Sequence, residues 1–256
     1  MAIVINRLCK IFGAIIKGLS YIIYFIFPKL RFTIPKISKA KKLSKNKSLI
    51  PKIIWQTNYS NVVTLPVYIN YLFNRLMSLD WEYRYVSTED RLEYLRNNAP
   101  NNYIEAFEQL TDGAAQADFW RLFVLNNLGG VYMDIDAHVV LPLSTLIKAD
   151  DKELFIKSKL RYNNYFLATA PNNKHFSKTL DLIVDNIKNK RIDDGVYSLT
   201  GPMALNNAIG DENINYKLYK YVCIQGSFTN EYFQYMDKPR GKWTHAKKED
   251  LLKKDN

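Results

Sequence analysis

Apolar positions recur along this chain with two different periods, and the changes of period mark its elements. From Ile11 to Phe27 the run IFGAIIKGLSYIIYFIF is apolar almost throughout. On a helix, Asn6, Lys10, Gly13, Lys17, Ser20 and Tyr24 fall at i, i+4, i+7, i+11, i+14 and i+18. The polar and small residues therefore form one narrow stripe on a cylinder otherwise covered by Ile, Leu and Phe. A run of about 17 residues is at the lower edge of a bilayer-spanning length. Lys17 interrupts it, so the pattern predicts a helix lying in the headgroup boundary or inserting shallowly, rather than a span with Lys17 facing lipid. No small-residue cleavage site follows and the run ends at Pro28, which argues against a signal peptide.

Near residue 49 a Lys- and Ser-rich stretch gives way to LIPKIIWQTN, and the periods shorten. Lys52 to Gln56 reads as a short buried strand, Leu65 to Leu79 as a helix, and Trp81 to Val86 as an alternating strand. Ser87 is placed to cap the next helix, with Asp90 at the capping-box position. After a helix near Asn102 to Leu110, Ala114 to Leu128 reads as helical and is stopped by Gly129 and Gly130, the residue type that most easily takes a left-handed cap. Val131 to Met133 follows as a strand. Strands near Leu154 to Ser158 and Tyr165 to Ala170, a helix from His175 to Asn189, a turn and helix at TGPMALNNAI and a strand at Tyr219 to Gln225 complete the alternation. Such alternation predicts an α/β sheet with ligands at the C-terminal ends of its strands. The organisation expected is a membrane-associating helix over 1–28, a basic linker over 29–48 and one α/β domain over 49–256.

Charge sharpens this division. Eleven of the 36 Lys and Arg lie in the first 50 residues, where there is no Asp or Glu, and the remaining 25 are matched by 25 acidic residues. The whole net charge of +11 is thus N-terminal, and the body offers no basic surface for nucleic acid. Eight basic residues from Lys29 to Lys47, Lys45 among them, follow the apolar run directly. Each is attracted to an anionic membrane surface by about 1 kcal/mol, which favours residues 1–47 as a membrane-binding arm and puts the body on the cytoplasmic side if the helix spans; a core-packing helix followed by a solvated basic linker is the alternative. Two cysteines, Cys9 and Cys223, are too few for a disulfide framework or a zinc site, and fit a reducing compartment.

The candidate chemistry sits in NNLGGVYMDID. In an extended backbone Asp134 and Asp136 share a side while Ile135 points into the fold. Two adjacent carboxylates repel, and neither immediate neighbour is basic, so a hard divalent cation such as Mg²⁺ or Mn²⁺ with a ligand's phosphates is the partner they suit. On the preceding helix Asp118 and Arg121 lie at i, i+3, followed on the same face by Leu122 and Leu125. That pair is either a buried structural ion pair or the wall of a site.

The stretch DFWRLFVLNNLGGVYMDID resembles the signature of the DXD-containing sugar transferases of glycosyltransferase family 32, whose pattern the glucosylating domains of large clostridial toxins share. Asp118, Arg121, Gly129, Gly130, Tyr132, Asp134 and Asp136 fall on it. IPKIIWQTN resembles the family's first strand, and Thr200 to Pro202 its later turn. The similarity covers residues 50–245 and leaves the N-terminal arm outside. It implies a GT-A fold, a Rossmann-like α/β domain with a mixed sheet. It also implies a divalent metal, Mn²⁺ or Mg²⁺, a nucleotide-sugar donor with a UDP-sugar favoured over a GDP-sugar, and retention at the anomeric carbon. By the resemblance Asp134 and Asp136 serve the metal, with Asp134 also near the donor ribose or sugar, and Asp118 and Arg121 bind the sugar hydroxyls. Trp55 stacks on the nucleobase beside Gln56 and Thr57, or packs in the core; Tyr132 lies on the pattern beside the donor. Trp243 and His245 close over the diphosphate and metal, although Lys242 stands where the family has Ser and the His-rich stretch before it is absent. His138 reads as a residue behind the aspartates or on the surface, and His175 as surface or helix start.

The expected protein is a glycosyltransferase on the cytoplasmic face of a bacterial inner membrane, peripheral or monotopic, that extends a lipid-linked or oligosaccharide acceptor in capsule or O-antigen synthesis. A non-catalytic membrane scaffold, a metal-dependent phosphotransferase and a hydrolase stay open on the residues alone. On this reading, deleting residues 1–47 releases the enzyme from membranes and spares donor hydrolysis.

Overall fold

A computed structural model of the chain describes residues 2–43, 47–239 and 241–254. Lys45 of the basic run lies outside the described residues. Among the described residues seven strands form the central mixed sheet, and four others make two ribbons. The strands are β1 (Phe32–Thr33), β2 (Ile37–Ser38), β3 (Ile53–Thr57), β4 (Val62–Val63), β5 (Glu82–Val86), β6 (Gly130–Met133), β7 (Ala137–Val139), β8 (Glu153–Ser158), β9 (Arg161–Thr169), β10 (Tyr216–Leu218) and β11 (Cys223–Gln225). The sheet order is β10-β8-β9-β6-β3-β5-β2. Its centre, β6-β3-β5, is parallel, whereas β9 runs antiparallel to both β6 and β8. The ribbons β1-β4 and β11-β7 are antiparallel.

The helices are α1 (Ala2–Ile26), α2 (Leu65–Leu76), α3 (Thr88–Asn98), α4 (Asn101–Gln109), α5 (Gly113–Leu128), α6 (Leu143–Leu146), α7 (Lys174–Lys188), α8 (Val196–Leu199), α9 (Pro202–Ile209) and α10 (Glu231–Gln234). The sheet separates two apolar cores. On one face α4, α5, α7 and α9 bury Phe107, Phe119, Trp120, Phe176 and Leu205, and on the other α2 covers Ile54, Tyr83, Val131 and Phe166. Capping is local and legible: Ser87 and Asp90 form the reciprocal capping box of α3, and Asp112 accepts from Ala114 and Ala115 at the start of α5. The strand expected over Tyr219 to Gln225 begins earlier, at Tyr216, and is broken by a 3-10 turn at Tyr219–Tyr221.

The Gly-Gly turn between α5 and β6 is steric as well as conformational. Gly129 has φ +67° and Gly130 φ +108°, and a Cβ on Gly130 would stand 2.6 Å from the Ile53 carbonyl oxygen. Gly130→Ala is therefore expected to cost about 2–4 kcal/mol, read as a fall in the denaturant midpoint at unchanged slope. A native midpoint in that variant would contradict the packing.

The N-terminal 48 residues depart from the expected arm and linker. Half of the stripe of α1 faces the protein: Gly13, Ser20 and Tyr24 are buried together with Cys9 and Ile16, while Asn6 and Lys17 are half-buried and Lys10 is exposed. Its apolar circumference points outward, with Ile11, Phe12, Ile15, Leu19, Ile22 and Phe25 exposed. The stretch read as a linker carries β1, which pairs with β4, and β2, which forms the sheet edge on β5. Ile34 between them is wholly buried. Backbone partners are the physical reason: the edges of β4 and β5 would otherwise carry unpaired amides, and the linker supplies them.

Candidate functional site

Asp134 to Asp136 form a tight turn between β6 and β7, closed by the Ala137 amide donating to the Asp134 carbonyl at 3.0 Å. The turn replaces the extended spacing expected from the sequence, yet the two carboxylates still converge. The Gln225 side-chain amide at the end of β11 donates to Asp134 Oδ2 at 3.0 Å and to Asp136 Oδ1 at 3.2 Å. Ile135 between them is buried in the α2-side core.

The carbonyls of the turn are all held. Asn70 of α2 donates to the Ile135 and Ala137 carbonyls, Asn74 donates to Ala137, and Gln56 donates to the Asp134 carbonyl at 3.0 Å. The Gly226 amide donates to the Asp136 carbonyl at 3.0 Å, and the Asp134 amide to the Tyr165 carbonyl. Two fully buried asparagines on the inward face of α2 are thus explained by the turn carbonyls they satisfy.

On the other side of Asp134 stands the pair from α5. Arg121 approaches Asp118 Oδ1 at 3.1 Å and Asp134 Oδ1 at 3.2 Å, and its guanidinium lies 4.4 Å from the centre of the Tyr132 ring. Tyr132 in turn donates its hydroxyl to Asp134 Oδ1 at 2.8 Å. Asp118 also accepts from Asn164 of β9 at 2.9 Å and from Thr200 at 3.1 Å. Thr200, the first residue of the TGP turn, therefore belongs to the same network. Asp118 and Arg121 are a buried ion pair and a site wall at once, since both also line the cleft described below.

Charge is concentrated here. Burial raises the Asp118 carboxyl to about 7 against the opposing pull of Arg121. Burial, reinforced by the charge of Asp134, likewise raises Asp136 to about 7. Burial alone would lower Arg121, but Asp134, Tyr132 and Asp118 outweigh it and hold the guanidinium charged. One arginine thus contacts two carboxylates, while the third, Asp136, is met by the Gln225 amide and its own backbone N–H, with Arg121 acting at longer range.

A cleft of about 320 Å³ opens over this network. Of the residues singled out in the sequence, Thr57, Asp118, Arg121, Tyr132, Asp134 and Trp243 line it. Asp136 shares Gln225 with Asp134 without lining the cleft itself. Trp55 is a core residue: its indole N–H donates to the Gly129 carbonyl at 3.0 Å and its ring meets Trp120 edge-on, so it pins the Gly-Gly turn instead of offering a stacking face. Gln56 is buried too, bonded to Tyr83 and to the aspartate turn. His245 is not brought to the aspartates; its Nε2 lies 3.2 Å from Glu231, because the tail folds against α10. His138, fully buried, is pushed down to about 4 by burial and bonds Ser227 at 2.9 Å. His175 starts α7 as expected but is buried.

Sequence reasoning missed Gln225, Asn164 and Arg91. Arg91 lines the cleft from α3, donates to Gly113 and Thr88, and leaves its buried Nε–H without a partner. Among the described residues no carboxylate pairs with it. Nothing in the local sequence marks these three, because their roles arise only when distant strands meet. The residues fit a divalent cation. Two hard oxygen donors converge on an amide whose hydrogens point to both, and among the described residues no closed cluster of three protein ligands forms, which leaves positions for phosphate and water.

Paired aspartates after a central strand, backed by a buried Asp–Arg pair beside a cleft, define a class. Residues 66–153 match the glycosyltransferase sugar-binding region containing the DXD motif, so over this stretch the chain is similar to that class of glycosyltransferases. Among its relatives is the mannosyl phosphorylinositol ceramide synthase SUR1 of Saccharomyces cerevisiae, 28% identical over 169 residues, or 62% of this chain. The chain spans 43% of that relative's length. Among solved structures it is similar to PaToxG glycosyltransferase, with TM-score 0.52 and 21% identity over 64% of this chain and 70% of that one, and the two share the mixed α/β fold.

Proposed function

We propose that the protein is a metal-dependent, retaining glycosyltransferase that moves a hexose from a nucleotide sugar, a UDP-sugar before a GDP-sugar, to a lipid-linked glycan acceptor. The observation that carries this reading is the convergence of Asp134 and Asp136 on one amide, with Asp118 and Arg121 buried behind them at the wall of a cleft. Mn²⁺ or Mg²⁺ held by Asp134 and Asp136 would stabilise the diphosphate as it leaves. Arg121 orients both Asp118 and Asp134 and presents a charged donor to the sugar hydroxyls. Asp118, fixed by Asn164 and Thr200, accepts from those hydroxyls. Tyr132 holds Asp134 in place. Thr57 and Tyr59, at the exit of β3, and Trp243 line the cleft; on this reading the first two would face the nucleoside and Trp243 would cover the diphosphate.

Membrane association has its own support. The outward face of α1 is apolar, the 25-residue helix is long and apolar enough to cross a membrane, and exposed Tyr219 and Tyr221 belong to a turn packed beside it. With no acid in the first 50 residues, an anionic cytoplasmic surface complements this face. The SUR1 name describes a ceramide product, which favours a lipid-borne acceptor here. A role in bacterial capsule or O-antigen synthesis fits a transferase held at the inner membrane.

The test is donor hydrolysis across UDP- and GDP-sugars, with Mn²⁺ or with chelator. Turnover of one donor, lost on chelation, is the expected result. Hydrolysis of glycosides without nucleotide, or no turnover joined to no nucleotide binding, would replace this reading with a hydrolase or a scaffold.

A further inference from the structure

The buried stripe of α1 lies on the segment that carries Gln225. Lys17 donates to the Gly226 carbonyl at 3.0 Å, one residue from the amide that bridges the two aspartates. Gly226 itself turns with φ +73° and donates its N–H to the Asp136 carbonyl. The next residue, Ser227, meets α1 at Gly13, where a Cβ would stand 2.0 Å from the Ser227 carbonyl oxygen, so only glycine allows this approach. The contact continues along the segment. Phe228 is buried against Phe73 and His138, Asn230 donates to the Tyr21 hydroxyl at 3.0 Å, and Phe233 packs on Tyr21 and Tyr24. Tyr24 also accepts from the Leu65 amide at the start of α2, the helix whose asparagines hold the aspartate turn.

One side of residues 226–233 is thus the aspartate site and the other is the helix whose outward face is apolar. We propose that Lys17 and Gly13 are positioning residues of the metal–donor site: by latching α1 onto Gly226 and Ser227 they hold Gln225 and the Asp136 backbone in place, so that α1 docking and metal–nucleotide binding are coupled. The inference rests on the metal-dependent reading above. Two structural facts support it over a plain anchor. An anchor needs only its outward face, yet here Lys17 and Gly13, one turn apart on the inward side, both contact a single loop. That loop contacts the Asp pair through both its side chain, at Gln225, and its backbone, at Gly226. Because linkage is reciprocal, metal and nucleotide binding in turn seat α1 more firmly, by the same factor.

The experiment uses the full chain in detergent and measures Mn²⁺ affinity in the presence of UDP by the electron paramagnetic resonance of free Mn²⁺. It compares Lys17→Met, Lys17→Arg and Gly13→Val, alongside co-sedimentation with anionic vesicles. Lys17→Met is expected to weaken Mn²⁺ binding about tenfold, the size of effect typical of groups that orient metal ligands. Lys17→Arg, which keeps the donor, should restore the affinity, and vesicle binding should be unchanged in both. Gly13→Val should match or exceed the Lys17→Met loss. Native Mn²⁺ affinity in both Lys17→Met and Gly13→Val would overturn the coupling and leave α1 a simple anchor. A Lys17→Met loss that Lys17→Arg fails to rescue would overturn the role of the Lys17 donor. Absence of Mn²⁺ binding by the native chain would overturn the metal-dependent reading itself, and the coupling with it.

Discussion

Asp136→Asn is expected to lower donor turnover by about 10³-fold while making the metal-free protein more heat-stable. The two effects have one cause. Asp134 shares Arg121 with Asp118, so its charge is partly met, whereas Asp136 is held by two neutral donors, the Gln225 amide and its own backbone N–H, and lies beside Asp134. Its carboxyl is raised to about 7 in the folded chain, against 3.8 as its ordinary value. A group that binds its proton more tightly in the folded state contributes stability that is fully present below about pH 3.8 and is lost as pH rises through about 7. Asn cannot titrate, so the variant escapes that loss. Its Tm should exceed that of the native chain by about 3 °C at pH 8, with the gap closing toward pH 5. Added Mn²⁺ and UDP should reverse the order, raising the native Tm and leaving the variant where it was. A variant less stable than the native chain at pH 8 without metal would show that Asp136 is held by favourable contacts and not by repulsion. Retained turnover would remove it from the metal site.

The chemistry of the site was more legible in the sequence than its geometry. The alternation of elements, the Ser87–Asp90 box and the Gly129–Gly130 turn are local, and each depends on a few neighbouring residues. The Asp118–Arg121 pair was legible because i, i+3 spacing on a helix dictates contact, here 3.1 Å. Asp134 and Asp136 were found by type and spacing, but the turn that joins them was not, because its carbonyls are satisfied by Asn70 and Asn74 from a helix some sixty residues away. Trp55 shows the limit of pattern in the other direction. Its place in the strand that leads to the site suits a stacking platform, yet the Gly129 carbonyl beside it captures the indole N–H and turns the ring into the core. The stripe on α1 is legible as a stripe, but not what it meets: Gly13, Ser20 and Tyr24 are buried against the protein. Periodicity says that one face differs from the rest; whether that face meets water or protein depends on what the body offers, and here Gly226, Leu65 and Asn230 offer hydrogen-bonding partners.

Removal of residues 1–47 is expected to abolish folding as well as membrane binding, contrary to a separable arm. The truncation strips the edge strand β2 from β5 and β1 from β4. It also takes away the Lys36 carbonyl that accepts from Tyr85, and the Lys39 carbonyl that accepts from the buried Arg75. Ile34, wholly buried, and Ile16 and Tyr24, nearly so, leave the protein, and Phe228 and Phe233 lose their cover. Burying a large apolar side chain contributes about 1.5–3 kcal/mol, so these groups together amount to about 5 kcal/mol or more before the lost backbone pairs are counted. That is a large share of the 5–15 kcal/mol by which domains are ordinarily stable. The truncated chain should therefore be recovered aggregated or without a cooperative melt, read by circular dichroism and size-exclusion chromatography. A shorter deletion of residues 1–27 keeps β1, β2 and Ile34, and separates the two contributions. It should give a cooperative melt at reduced Tm, because the sheet is complete and only the α1 contacts are gone. A 1–47 truncation that melts at the native temperature and turns over donor would show that the N-terminal strands decorate the sheet without supporting it.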